Sequence, residues 1–184
     1  MRATTRQAVL DSAMRLFGQN GYAHTSTRSI AKDAKISAGL LYHYFDSKEN
    51  LLQAVIDHSI SRINAAIGGA MESSSPHMLL TNVLKSIFDL LASDPAFWTL
   101  FNMLRSQPSI LREHGDEFRY LTSCLRELFE AQLREHQRPD PALDAYVIYC
   151  LVEGTIQQYL LDPASYPLDA VVARILEQYD LPLE

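Results

Sequence analysis

Apolar residues recur at helical spacing along nearly the whole chain. Val9, Ala13, Leu16 and Phe17 follow an i, i+4, i+7, i+8 pattern, which predicts an amphipathic helix ending between positions 18 and 21. A short helix is predicted over 27–34, with Thr25, Ser26 and Thr27 offering cap hydroxyls, and another of about eight residues runs from a cap at Ser37 to Phe45. A long helix then opens at 46–49, where Asp46 and Glu49 stand at capping-box spacing, and runs to Gly68 and Gly69. The polar stretch 72–76 reads as a linker. Helices over 77–93, 95–106, 109–136, 141–162 and 167–180 follow, punctuated by Pro95, Pro108, Pro139, Pro141, Pro163 and Pro167. No useful run alternates with period two and there is no internal repeat, so the expected fold is all-α.

The first three helices, the second and third very short, form a helix-turn-helix pattern. Ile30, Ala31, Ile36, Leu41 and Phe45 make an inward set able to pack on Val9, Leu16 and Phe17. Leu41 and Phe45, four apart, share the inner face, which turns Ala38, Gly39, Tyr42 and His43 outward. Leu40 falls between the two groups, and Tyr44 has room to tuck against the first or fourth helix. Small residues at the start of a helix (Ser37, Ala38, Gly39) allow close approach to a DNA major groove. Tyr42 and His43 carry groups that reach phosphates or base edges, while Thr27, Arg28 and Lys48 suit phosphate contacts. An ordinary small helical bundle with exposed tyrosines has the same spacing.

Composition narrows the choice. A hydrophobic content of 47% with 21% charged residues in 184 residues describes a globular chain large enough for a good core. No run approaches the 18 or more apolar residues of a membrane span, and no secretion signal is visible, so a cytoplasmic protein is expected. Cys124 and Cys150 sit in apolar helical surroundings and are expected to be small buried hydrophobes. The net charge of −6 is unevenly divided: residues 1–52 carry +3 and the remainder −9. An acidic chain with a basic end can still bind a polyanion through that end.

The stretch TRQAVLDSAMRLFGQNGYAHTSTRSIAKDAKISAGLLYHYFDSKENLL closely resembles the DNA-binding domain of TetR-family transcriptional regulators. The matching pieces are the Ala-x-x-Leu-Phe end of the first helix, the Gly21-Tyr22 turn, residues 25–31, the run from Ser37 to Phe45, and Ser47-Lys48-Glu49 with Leu51 and Leu52. The resemblance implies a helix-turn-helix domain over 1–50 and a helical ligand-binding and dimerisation domain over 51–184. It makes 37–44 the recognition helix, and it places Thr27, Arg28, Tyr42, His43 and Lys48 where family members commonly contact DNA. Position 35 departs from the family's usual glycine. A left-handed Lys35 would carry a strain of about 1–2 kcal/mol; an altered turn or a phosphate contact by Lys35 are the alternatives. Leu40 replaces something smaller or more polar and is able to touch a thymine methyl or simply pack.

The last two helices are apolar on most of their circumference, so they need partners on both sides. A two-fold dimer through Val147, Cys150, Leu151, Gly154, Leu161, Leu168, Val172, Ile175 and Tyr179 satisfies them, with a thick monomeric core as the alternative, and the resemblance implies the same four-helix interface. Family members usually enclose an inducer in the middle region. Trp98, Phe101, Asn102, Phe118, Tyr146, Glu153 and Gln157 are the candidates to line that site, although an aromatic stripe at helical spacing also serves as plain core. Glu153 beside aromatics would suit a cationic ligand, but a place on the surface or the dimer face is the simpler expectation for it.

No cofactor is expected, because the chain has no Gly-rich phosphate loop, nucleophile elbow or carboxylate dyad. Glu113, His114, Asp116 and Glu117 lack further ligands at metal spacing, and Gly115 suggests a helix break there. The expectation is therefore a non-enzymatic regulator, most simply a repressor. It would bind a palindromic operator in double-stranded DNA as a homodimer and be released by a small-molecule effector. The rivals are an effector-independent architectural DNA binder and a ligand-binding module that has lost DNA binding.

Overall fold

The computed structural model describes residues 2–182. Among them are nine helices and no strand: α1 (Arg2–Asn20), α2 (Thr27–Asp33), α3 (Ala38–Tyr44), α4 (Lys48–Ser73), α5 (Leu79–Ser93), α6 (Pro95–Ser106), α7 (Pro108–Glu135), α8 (Pro141–Leu161) and α9 (Leu168–Gln178). The periodicity located each of them to within a few residues, with three differences. Helix α4 continues through Gly68 and Gly69 to Ser73, whose hydroxyl donates back to the Gly69 carbonyl at 2.7 Å. Helix α7 runs unbroken through Gly115, because an isolated glycine costs a helix only about 1 kcal/mol and flanking packing overrides it. The cap of α4 is Ser47, which accepts from the Asn50 amide at 3.0 Å, so the cap lies one residue beyond the Asp46–Glu49 spacing read from sequence.

The chain forms two compact units, one of residues 1–61 with 96–115, the other of 62–95 with 116–184. Compactness therefore divides the chain differently from the expected 1–50 domain, since α6 and the start of α7 join the N-terminal unit. In that unit α1 packs on α2 and α2 on α3. Val9, Ala13, Phe17, Ile30, Leu41, Leu51 and Val55 lose essentially all exposure. Leu16 and Ile36, expected in the same core, are only half-buried. Gly18 sits close to α6: a Cβ there would stand 3.6 Å from Leu100 Cβ.

In the second unit α5 packs on both α8 and α9 through a buried stripe of Leu80, Val83, Leu84, Ile87 and Leu91. Arg138 ties three elements together. It pairs with Asp144 at 3.0 Å and Asp180 at 3.4 Å, and its guanidinium lies 5.4 Å from the Tyr179 ring centre. Cys124 and Cys150 are both exposed rather than buried as expected: each falls on the outer side of its helix, where the apolar sequence around it gave no hint. No group of metal-ligating side chains and no helix long and apolar enough to cross a membrane occurs among the described residues.

Candidate nucleic-acid interface

Local hydrogen bonds fix the backbone that presents α3. Helix α1 ends at Gly21, which adopts φ 81° and donates its amide to the Phe17 carbonyl at 2.9 Å. Thr25 is buried, and its hydroxyl faces the Gly21 and Leu16 carbonyls at 2.9 and 3.1 Å, holding the turn against α1. Ser26 then caps α2. It accepts from the Ser29 amide at 3.1 Å, while the Ser29 hydroxyl accepts from the Ser26 amide at 3.2 Å.

The turn between α2 and α3 is a Schellman motif. The Ile36 amide donates to Ala31 at 2.9 Å and the Lys35 amide to Lys32 at 3.2 Å, with Lys35 left-handed at φ 57°. The usual turn geometry therefore persists without its glycine. Gln137 (φ 55°) and Asp180 (φ 53°) close α7 and α9 by the same pair of bonds, so this chain accepts the left-handed cost at three non-glycine positions among the described residues. Ser37 caps α3 by accepting from the Leu40 amide at 3.1 Å.

The faces of α3 separate cleanly. Leu41 and Phe45 are buried, with the Arg6 guanidinium 4.9 Å from the Phe45 ring centre. Gly39, Leu40, Tyr42 and His43 are exposed, Tyr42 to 48%, while Ala38 and Tyr44 are half-buried and the Tyr44 ring meets His43 edge-on at 5.4 Å. Nothing lies within 4 Å of a Cβ placed on Gly39, so the start of the helix is open to close approach. Arg28 is exposed on α2. Thr27 is half-buried, and its hydroxyl hydrogen-bonds the Tyr42 hydroxyl at 3.0 Å, joining the start of α2 to the outward face of α3.

Beside this face lies an open concavity of about 510 Å³, lined by His24, Ser26, Thr27, Tyr42, Ser47 and Lys48 among others. Lys48 is engaged within the protein. Its Nζ donates to the Tyr22 carbonyl at 2.6 Å and stands 4.2 Å from the Tyr22 ring centre. Burial lowers its pKa, against an opposing pull from the Glu49 charge. Burial likewise pushes the Tyr22 phenol up to about 12, assisted by the Glu49 charge and hydrogen bond. Tyr22, absent from the sequence-based set, thus organises the edge of the face. Its ring also meets Phe17 edge-on at 5.2 Å. The Gly21-Tyr22 turn was its only trace in the sequence.

The other expected sites are more scattered. Trp98, Phe101 and Asn102 gather on buried turns of α6 in the first unit. In the second unit Phe118 is buried, Glu153 is half-buried and accepts from the Tyr149 hydroxyl at 2.9 Å, and Tyr146 and Gln157 stand exposed. Of the expected interface residues, Ile175 and Tyr179 are buried within the single chain, because α9 turns that side toward its own unit. Leu168 and Val172 line a groove of about 340 Å³ between α5 and α9. Leu151 is half-buried; Val147, Cys150, Gly154 and Leu161 remain exposed on α8. Leu143, at 58% exposure, and Tyr146, at 53%, extend this strip.

Residues 9–55 match the family model for bacterial regulatory proteins of the tetR family. That segment, which holds α2 and α3 whole with parts of α1 and α4, is similar to the DNA-binding segment of that family. The HTH-type transcriptional regulator UidR of Escherichia coli is 39% identical over 69 residues, which span 35% of this chain and only 35% of the relative's own length. The regulator BetI of Agrobacterium fabrum is 26% identical over 193 residues, covering 100% of this chain and 90% of its own length. The likeness in fold extends along nearly the whole chain: a TetR-like transcriptional regulator from a Rhodococcus species superposes with a TM-score of 0.81 at 23% identity, covering 97% of this chain and 95% of the other.

Proposed function

We propose that this protein is a DNA-binding transcriptional regulator, a repressor that binds a palindromic operator as a homodimer and releases it when a small-molecule effector binds. The observation that carries the reading is the outward face of α3. It is capped by Ser37, open at Gly39, and presents Tyr42 and His43 beside Thr27 and Arg28. Such a helix enters the major groove with its N-terminal residues nearest the bases. Thr27 and Arg28 lie on α2, the helix that crosses the backbone in this docking mode, and Leu40 is placed to meet a thymine methyl. Lys48, already bonded to Tyr22, serves first to position the edge of that face and only secondarily to meet a phosphate.

The homodimer rests on the exposed strip of α8. A helix apolar on most of its circumference, with Leu161 77% exposed, needs cover that a second copy supplies. Nothing lies within 4 Å of a Cβ placed on Gly154 in the single chain, so two such helices can approach there. Release by an effector requires only that it bind the chain better in the conformation that misplaces the recognition helices.

Selection of bound duplexes from a random pool at two salt concentrations tests the reading. Enrichment of a two-fold palindrome with half-sites one helical turn, ~34 Å, apart is expected. Salt-sensitive retention without enrichment would reassign the protein to an architectural role, and no retention at all would remove DNA from its function.

A further inference from the structure

Two pairs of buried polar atoms, each pair four residues apart, lack a hydrogen-bond partner among the described residues. On α6 they are donors, Trp98 Nε1 and Asn102 Nδ2, set among packed aromatic rings. At the end of α7 they are Gln132 Oε1 and His136 Nε2, and there a second imidazole stands alongside: the His77 and His136 ring centres are 5.3 Å apart. Buried polar groups are satisfied in the great majority of native sites, which makes an unsatisfied pair beside a second histidine informative.

The hydrogen bonding of His136 fixes what its ring can do. Nδ1 lies 2.8 Å from the Gln132 carbonyl, and a carbonyl oxygen only accepts, so Nδ1 carries the hydrogen. In the neutral ring Nε2 is then a bare lone pair. Gln132 Oε1 is an acceptor too, so two buried lone-pair atoms one turn apart have no donor. A carbonyl that holds the far nitrogen of an imidazole is also the arrangement that orients a metal-ligating histidine.

The spacing of the two rings agrees with that role. Two imidazoles on one tetrahedral ion, with metal–nitrogen bonds of about 2.0–2.1 Å, hold their ring centres about 5.2 Å apart, and a right-angled pair would hold them at about 4.5 Å. The observed 5.3 Å matches the tetrahedral case. His77 sits in the turn before α5, which is fixed by the Met78 amide donating to Ser75 at 3.0 Å and by Asn82 Nδ2 donating to the Ser74 hydroxyl at 2.8 Å. Its side chain is exposed and has room to turn a nitrogen toward the ion. Imidazole nitrogens suit a borderline ion such as Zn²⁺, whereas Mg²⁺ and Ca²⁺ take oxygen ligands.

We propose that His77, His136 and Gln132 Oε1 form a tetrahedral site for a zinc-type divalent ion, with water in the fourth position. Two imidazoles and an amide fall short of a group of three or more histidine, cysteine or carboxylate ligands, none of which occurs among the described residues, so the site is an exchangeable one rather than a closed structural centre. The bound ion clamps the turn before α5 to the end of α7. The inference stands independently of the DNA-binding reading.

The tag-free, full-length protein, stripped with a chelator, is titrated with Zn²⁺ by calorimetry, with Mg²⁺ as the hard-ion control and with Co²⁺ followed by visible absorption. One Zn²⁺ per chain should bind and Mg²⁺ should not, while Co²⁺ should give the strong visible bands of tetrahedral coordination. His77→Ala should lower Zn²⁺ affinity at least about tenfold, since even the outer partners of a metal ligand cost that much. The same change should leave the melting temperature of the metal-free protein in place, because His77 is exposed. Long-range ¹H–¹⁵N spectra of the metal-free protein should show His136 as the Nδ1–H tautomer, with Zn²⁺ shifting its Nε2.

Zn²⁺ affinity unchanged in His77→Ala overturns the proposal and assigns the ion to other ligands, foremost the exposed thiols of Cys124 and Cys150. So does a protein that takes up no Zn²⁺, which would leave Gln132 and His136 to a buried water. An Nε2–H tautomer of His136 in the metal-free protein equally contradicts it.

Discussion

The outward face of α3 and the exposed strip of α8 both put large side chains into water, yet they are built in opposite ways. On α3 the exposed groups have polar anchors: the Tyr42 hydroxyl is fixed on Thr27, the helix start is capped by Ser37, and Lys48 is pinned to Tyr22. Such a face is content in water and ready to exchange that water for phosphates and base edges. On α8, Leu143, Val147 and Leu161 offer nothing but hydrocarbon. Tyr146 is held from one side by Arg126, whose guanidinium lies 4.3 Å from its ring centre. Exposure alone therefore does not say what a surface meets; the fate of its polar atoms does.

The largest effect expected from breaking this contrast is on α8. Val147→Arg should convert the protein to monomer in sedimentation and lower operator affinity by roughly a hundredfold or more, since linked half-sites are then bound singly. Helical content should stay unchanged by circular dichroism, because Val147 is already exposed on the single chain. On α3, Tyr42→Ala should weaken binding about tenfold to all duplexes, as loss of a backbone contact does. Combined with Thr27→Val it should cost less than the two changes added, because the hydroxyls act as a pair at 3.0 Å.

The same contrast explains what the sequence disclosed. Leu41, Phe45, Ile30 and Val9 declared themselves by spacing, since a short amphipathic helix has one way to bury such a set. The outward position of Tyr42 and His43 followed from that geometry. Local chemistry was legible too, including the caps at Ser26 and Ser37. What did not show was anything set by packing between distant segments. Tyr22 meets Lys48 across 26 residues; Ile175 and Tyr179 turn inward although their spacing equally suited an outer stripe; Cys124 and Cys150 face solvent from apolar surroundings. The orphan donors of α6 were visible as residue types but not as donors without partners. Asn102 stood out in the sequence as a polar candidate for the interior, but its amide nitrogen's lack of a partner showed only once its neighbours were in place.

Smaller effects are expected within the α3 platform itself. Lys35→Gly should stabilise the protein by about 1 kcal/mol in urea unfolding, because the left-handed position is retained and its Cβ strain is removed. The smallest effect concerns Glu49. Its carboxyl is held below the usual 4.5 by its own backbone amide at the start of α4, then by the Ser47 hydroxyl. Its folded value being the lower one, it contributes stability that is present above the unfolded value and lost as pH falls through the folded value. Glu49→Gln should therefore flatten the acid limb of the stability profile below about pH 4.5 and leave neutral pH nearly unchanged, a difference kept small by the carboxylate's exposure.

Hydroxyl-radical footprinting of the tyrosines, with and without the selected duplex, tests the central claim most directly. Tyr42 should be labelled freely in the protein alone and protected on DNA, while Tyr146 should already be protected before DNA is added, shielded by the second copy. Equal labelling of Tyr42 in both states, or free labelling of Tyr146 in the DNA-free protein at concentrations where it is dimeric, would contradict it.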